Sequence, residues 1–268
     1  MGIELGIITT HIPHICFEDK VKEYHKPLVA AMHEAADVLA SVNPDVVILS
    51  SCHWISTFHH YVNVSPRHKG ILTALECPDL LRDVPYDFFG DEELAKQLVE
   101  AGQKAGLSVR PVDEPTYSWD YGAVVPLRYL LEKKNVPVID LSLAWASNLE
   151  ETRQWGNIIS EVVEKSNRKA VFVASTALAH NLVRGTEKWP TVMEQALDRE
   201  FCKFITEGDF ATVLEMLPSY ARAAGVEGGG RSLAMLLGIL QGKYKGVLHG
   251  YGPSSGSGNG VVTLRPAI

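Results

Sequence analysis

A chain of 268 residues, 46% hydrophobic and 21% charged, can bury a sizeable core without a disulfide or a structural metal. Its 25 basic and 32 acidic residues leave a formal charge of −7, which argues against a protein that tracks nucleic-acid phosphates. No apolar run approaches about 18 residues, and the four cysteines include no CxxC pair, so neither a membrane span nor a disulfide scaffold or zinc knuckle is expected.

Residues 3–8 form a nearly uninterrupted apolar run, broken only by Glu4, the pattern of a strand covered on both faces. The start, MGIELGIITTHIPH, has neither a basic segment nor a small-residue cleavage site, so the expected location is cytoplasmic. A helical pattern over 25–41 ends at Asn43-Pro44 and launches a second buried strand over 46–49. Strands are expected next at 61–64 and 109–112, flanking a helix over 91–105 that opens on Asp91 and two further acids and closes at Gly106. Helices over 124–133, 150–166, 191–207 and 231–240 alternate with strands over 136–143, 170–174 and 260–264. Residues 250–260, GYGPSSGSGNG, read as a shaped loop, able to cradle an anion or to serve as a hairpin into the last strand. This alternation predicts an α/β fold, one domain over 1–268, with a central mostly parallel or mixed sheet and helices on both faces.

His11, His53 and His180 each follow the carboxyl end of a predicted buried strand, the edge where α/β sheets gather ligand sites. Two neutral imidazoles and one carboxylate make a facial set for a divalent transition metal, with positions left for substrate and dioxygen. The carboxylates available to it are Glu227, Glu114, Asp113 and Asp120. Glu227 stands out because Gly228-Gly229-Gly230 follows it, allowing close backbone approach just before a helix start. The alternative for each histidine is a satisfied interior or rim imidazole, and for Glu227 an acid beside a flexible turn. There is no GxGxxG after a strand and no Walker loop. His59 and His60 sit on an extended segment and face opposite ways, so only one of them can line a site.

Six segments run in one order along the chain: TTHIPHI (9–15), PDVVILSSCHWIS (44–56), YSWDYGAVVPL (117–127), VFVASTALAH (171–180), LPSYARAAGVEGGG (217–230) and GYGPSSGSGNGVV (250–262). In them the chain resembles the class III, LigB-type, extradiol ring-cleavage dioxygenases, and among those the 2-aminophenol 1,6-dioxygenase and protocatechuate 4,5-dioxygenase beta-type subunits. The resemblance implies a LigB-like fold and a non-haem Fe(II) enzyme that opens a catecholic or 2-aminophenolic ring with dioxygen, inserting both oxygen atoms. It implies His11, His53 and Glu227 as iron ligands and His180 as the acid and base. Tyr121, where many relatives carry histidine, would hydrogen-bond a substrate oxygen. His14, Trp54, His60 and Trp119 would contact substrate, with Phe17, Phe58 and Trp145 shaping the pocket. The implied partners are a small aromatic substrate, dioxygen, and further copies in a homo-oligomer or a second LigB-like subunit, with no nucleic acid and no membrane. The same ligand set also suits a zinc hydrolase, and the same fold a non-catalytic protein of the Memo or alpha-subunit type.

Overall fold

The computed structural model describes residues 2–114, 116–242 and 244–267. An eight-stranded mixed sheet is built from β1 (Gly2–Thr9), β2 (Val46–Ser56), β3 (His60–Asn63), β6 (Val109–Val112), β7 (Val138–Ala144), β8 (Lys169–Ser175), β9 (Tyr244–Ser254) and β10 (Ser257–Pro266). Their order across the sheet is β6-β3-β7-β2-β8-β1-β10-β9. A separate two-stranded ribbon pairs β4 (Arg67–Leu72) with β5 (Val84–Phe89). The helices are α1 (Lys26–Val42), α2 (Glu92–Lys104), α3 (Tyr121–Leu130), α4 (Leu149–Ser166), α5 (Val192–Glu207), α6 (Phe210–Ala223) and α7 (Arg231–Ile239).

Strand periodicity explains the layering. Alternate residues of β2 point to opposite faces, so Val46 and Ile48 join a core with α2, α4 and α7, while Val47 and Leu49 join a core with α1 and α3. In β8, Phe172 and Val173 divide between the same two cores. Helix ends follow local chemistry. Thr191 and Glu194 form a reciprocal capping box at the start of α5, and Asn43 ends α1 in the left-handed region at φ 52°. Among the described residues no helix is long and apolar enough to cross a membrane.

One stretch takes the hairpin alternative, and several other elements depart from the sequence reading. The glycine- and serine-rich stretch over 250–260 is the tip and arms of the β9–β10 hairpin, turning at Ser255 (φ 51°) and Gly256 (φ 84°), the two positive angles a tight two-residue hairpin turn requires. The strand expected over 46–49 continues to Ser56, with a register irregularity against β7 between Ser50 and Ile55. The helix expected from 124 begins at Tyr121, because the Asp120 carboxylate accepts the Ala123 N–H as its cap. The sequence reading did not anticipate α6, which carries Pro218 in its interior, or the ribbon strands β4 and β5, in which outward residues such as Arg67, Lys69 and Asp87 interrupt any apolar run.

Candidate metal centre

The parallel strands β1, β8 and β2 end side by side, with Thr9 and Ser51 both in register with Ser175. His11 follows β1 by two residues, His53 lies in the irregular end of β2, and the loop after β8 carries Ala177 and His180. The carboxyl edge of the sheet therefore brings three histidines to one place. The fourth group comes from a 3-10 turn over Glu227–Gly230 that leads into α7. Its glycines 228, 229 and 230 all have positive φ, at 60°, 65° and 78°, a conformation costing other residues about 1–2 kcal/mol each. A Cβ on Gly228 would also press on Leu143 at 3.1 Å. The glycine run thus lets the backbone under Glu227 lie against the end of β7.

The donor atoms converge. His11 Nε2 and His53 Nε2 are 3.2 Å apart, and each is 3.4 Å from a carboxylate oxygen of Glu227. His180 Nε2 lies 3.5 Å from Glu227 Oε1. The Cys52 thiol sulfur is 3.8 Å from His11 Nε2, and one donor atom from each of His11, Cys52, His53 and Glu227 falls within 4.8 Å of the others. His11 and Glu227 are buried, at 5% and 7% exposure.

Supporting hydrogen bonds determine which atoms face inward. Ser175 donates its one hydroxyl hydrogen to the Gly122 carbonyl at 2.5 Å, so at His11 Nδ1, 3.0 Å away, it can only accept. The hydrogen of His11 is thereby fixed on Nδ1 and a free lone pair on Nε2 points into the cluster. Glu227 Oε2 accepts the Ala177 N–H at 2.7 Å, tying the carboxylate to the loop that bears His180. That loop is held again by Asp198, which accepts from the Ala179 N–H and the hydroxyls of Tyr220 and Tyr251. Asp120 accepts from Ser51 at 2.6 Å as well as capping α3, and the Tyr121 ring packs 4.0 Å, centroid to centroid, from His53. A side chain on Gly122 would run into the Ser51 hydroxyl and crowd His53.

Electrostatics agrees with the geometry. Burial alone would raise the Glu227 carboxyl, but the adjacent His11, His53 and His180 hold it well below the usual carboxylate range. Burial pulls His53 down, yet Glu227, Asp120 and Glu76 outweigh it and the net shift is upward. Burial lowers His180 and His14, and raises Tyr121 so that its phenol stays protonated.

Above the cluster opens a cavity of about 310 Å³. Of the residues expected at the site, His11, His14, His53, Tyr121, His180 and Glu227 line it. Trp54, His60 and Trp119 do not. Trp54 follows His53 on an extended chain, faces away from it, and packs on Tyr61 and Tyr117. His60 is wholly buried beside Glu151 and Trp155, and Trp119 is stacked among His68, Tyr86 and Phe88. Phe17 lies in a different, larger concavity of about 470 Å³ beside Arg128, which contains none of the convergent donors. Phe58 is largely exposed, and Trp145 is exposed under Arg231. Asp113 and Glu114 are spent on Ser65 and Thr116. Sequence reasoning passed over Ser175, whose only signal is a hydroxyl at the end of a buried apolar run, and Glu76, Cys77 and Leu80, which reach the cavity from the connection between β4 and β5.

The family described as catalytic LigB subunit of aromatic ring-opening dioxygenase matches residues 5–262. The chain is 25% identical over 263 residues to a 3,4-dihydroxyphenylacetate 2,3-dioxygenase of Escherichia coli, covering 94% of this chain and 95% of that one. It is 26% identical over 284 residues to a 2-aminophenol 1,6-dioxygenase beta subunit of a Pseudomonas species, covering 96% and 92%. The crystal structure of an uncharacterized protein of Escherichia coli K12 shares the fold, with a TM-score of 0.70 at 17% identity over 98% of this chain and 99% of that one.

Proposed function

The chain belongs to the LigB family, and on that premise we propose that it is an Fe(II)-dependent extradiol dioxygenase that opens a catecholic or 2-aminophenolic ring with dioxygen. The observation that carries this reading is the triangle of two imidazole nitrogens and a carboxylate, with edges of 3.2 to 3.4 Å, beside a cavity of about 310 Å³. Such separations suit three donors sharing one ion at roughly 2 Å each. The inward lone pair of His11, enforced by Ser175, fits the same role.

Bound ferrous iron supplies Lewis acidity toward a ring hydroxyl and a route for electrons between ring and dioxygen. His11 and His53 would hold it through Nε2, and Glu227 through its carboxylate. His180 Nε2 takes a proton from a ring hydroxyl and returns it to an oxygen of the opening ring. Its lowered pKa keeps the base form present near neutral pH. The protonated Tyr121 hydroxyl donates a hydrogen bond to a substrate oxygen, and His14 lines the approach. Both oxygen atoms enter the product. The Pseudomonas relative is by name one subunit of its enzyme, which supports assembly of this chain as a homo-oligomer or with a second LigB-like subunit. The described cysteines are all unpaired, in keeping with a cytoplasmic protein.

The test is oxygen uptake by the purified chain, reconstituted with ferrous iron without air and then given catechols or 2-aminophenol. Stoichiometric oxygen consumption with coloured ring-opened product is expected, and no uptake with any member of the panel would overturn the reading.

A further inference from the structure

The charges around the cavity are one-sided. Among the described residues lining it, the carboxylates are Glu227 and Glu76, and there is no lysine or arginine. Glu227 is already engaged by His11, His53 and the Ala177 N–H. Glu76 is held only loosely: its side chain is 62% exposed at the rim, and it approaches His53 Nδ1 at 3.7 Å. Beside the imidazoles of His11, His14, His53 and His180 and the Tyr121 phenol, the polar lining groups are uncharged hydrogen-bonding ones, the hydroxyls of Ser254, Ser255 and Ser257 and the Asn259 amide. Asn259 is fixed by bonds from Thr10 and to Ser257, so it is a preset donor and acceptor, not a counter-ion. Arg82 and Arg184, the cations nearest in sequence to lining residues, are exposed and outside the lining.

We propose that this cavity takes ring substrates whose substituent is uncharged or bears an amine and rejects those bearing a carboxylate, with Glu76 setting the preference. The proposal rests on the dioxygenase reading and narrows its substrate class. A carboxylate substituent entering here loses water and meets no lysine or arginine in exchange, while Glu76 repels it across the mouth. An ammonium group meets Glu76 instead. A neutral substituent is served by the serine hydroxyls and Asn259.

The test uses three catechols of similar size that differ in charge: 4-propylcatechol, 4-(2-aminoethyl)catechol and 3,4-dihydroxyphenylacetate. Binding to the iron-loaded enzyme without air is measured calorimetrically, and oxygen uptake is followed separately. The carboxylate compound is expected to bind at least about tenfold more weakly than the amine. In Glu76→Gln the amine-to-carboxylate affinity ratio should fall about three- to fivefold, the scale of one exposed ion pair, and in Glu76→Lys it should shrink further or invert. Tight binding of the carboxylate compound, or a ratio unmoved in both variants, overturns the proposal. Charge-ordered binding without oxygen uptake upholds the selectivity and removes the oxygenase reading, while robust uptake with equal affinities does the reverse.

Discussion

The floor of the cavity and its rim are built on different principles. On the floor, His11, Glu227 and the His180 loop are each held by a second partner, Ser175, the Ala177 N–H and Asp198 respectively, and His11 and Glu227 are almost fully buried. At the rim, Glu76 and Leu182 are exposed and come from loops, and Leu75, beside Glu76 in the β4–β5 connection, is 90% exposed. The floor's geometry is over-determined by the sheet, so it can hold donor atoms to the precision that coordination demands. The rim can change without disturbing the sheet, so substrate choice can vary while the chemistry stays. The contrast makes a ranking of effects: floor substitutions should alter whether the protein works, and rim substitutions what it works on.

The largest effect is expected from the ligands themselves. His53→Ala or Glu227→Ala should abolish iron retention, measured by metal analysis after desalting, and with it turnover. A variant retaining stoichiometric iron would show that the floor is not the metal site. His180→Ala comes next. It should keep its iron but slow oxygenation by about two to four orders of magnitude, the usual contribution of a positioned acid and base. Wild-type turnover there would remove the role assigned to His180 and leave it a rim residue. Smaller again is Ser175→Ala, which frees the His11 hydrogen to move to Nε2. Iron affinity should drop about 10- to 100-fold with the fold intact by circular dichroism. An unchanged affinity would mean that the hydroxyl does not select the tautomer.

The same contrast explains what could be read from the sequence. The strands at 3–8, 46–49 and 170–174 are largely buried on both faces, so their apolar runs are nearly continuous and their ends visible, and with them the positions of His11, His53 and His180. Glu227 was marked by the glycines whose positive φ the turn needs. The ribbon of β4 and β5 is covered on one face only, with Arg67 and Lys69 outward and His68 and Leu72 inward, and six-residue strands of that kind give no run to detect. With the ribbon unseen, Glu76, Cys77 and Leu80 could not be placed, and the aromatic residues Trp54 and Trp119 stood in for them. Trp119 instead packs beneath the ribbon, where the Tyr86 hydroxyl accepts its backbone N–H at 3.0 Å.

The smallest predicted effect concerns that ribbon. His68 is 5% exposed, stacked on Trp119 with ring centroids 4.5 Å apart, and burial lowers its pKa from 6.5 to about 4, partly offset by a hydrogen bond to the Val138 backbone. Between those two values the unfolded chain binds the proton more readily than the folded one. Stability is therefore fully present above pH 6.5 and falls as the pH drops toward 4. The expected loss from this residue is about 1 kcal/mol between roughly pH 7 and pH 5.5, read from urea unfolding at the two pH values. His68→Phe keeps a flat ring over Trp119 and removes the titrating group, so that part of the pH dependence should vanish. If the difference between the two pH values were the same in wild type and variant, His68 would not be a proton-excluding group, and the ribbon would not be packed down on Trp119 as firmly as its stacking geometry requires. Proteolysis at the two pH values localises the effect: cleavage should rise first in the exposed connection around Leu75, while the strands beneath the histidine and glutamate cluster stay protected.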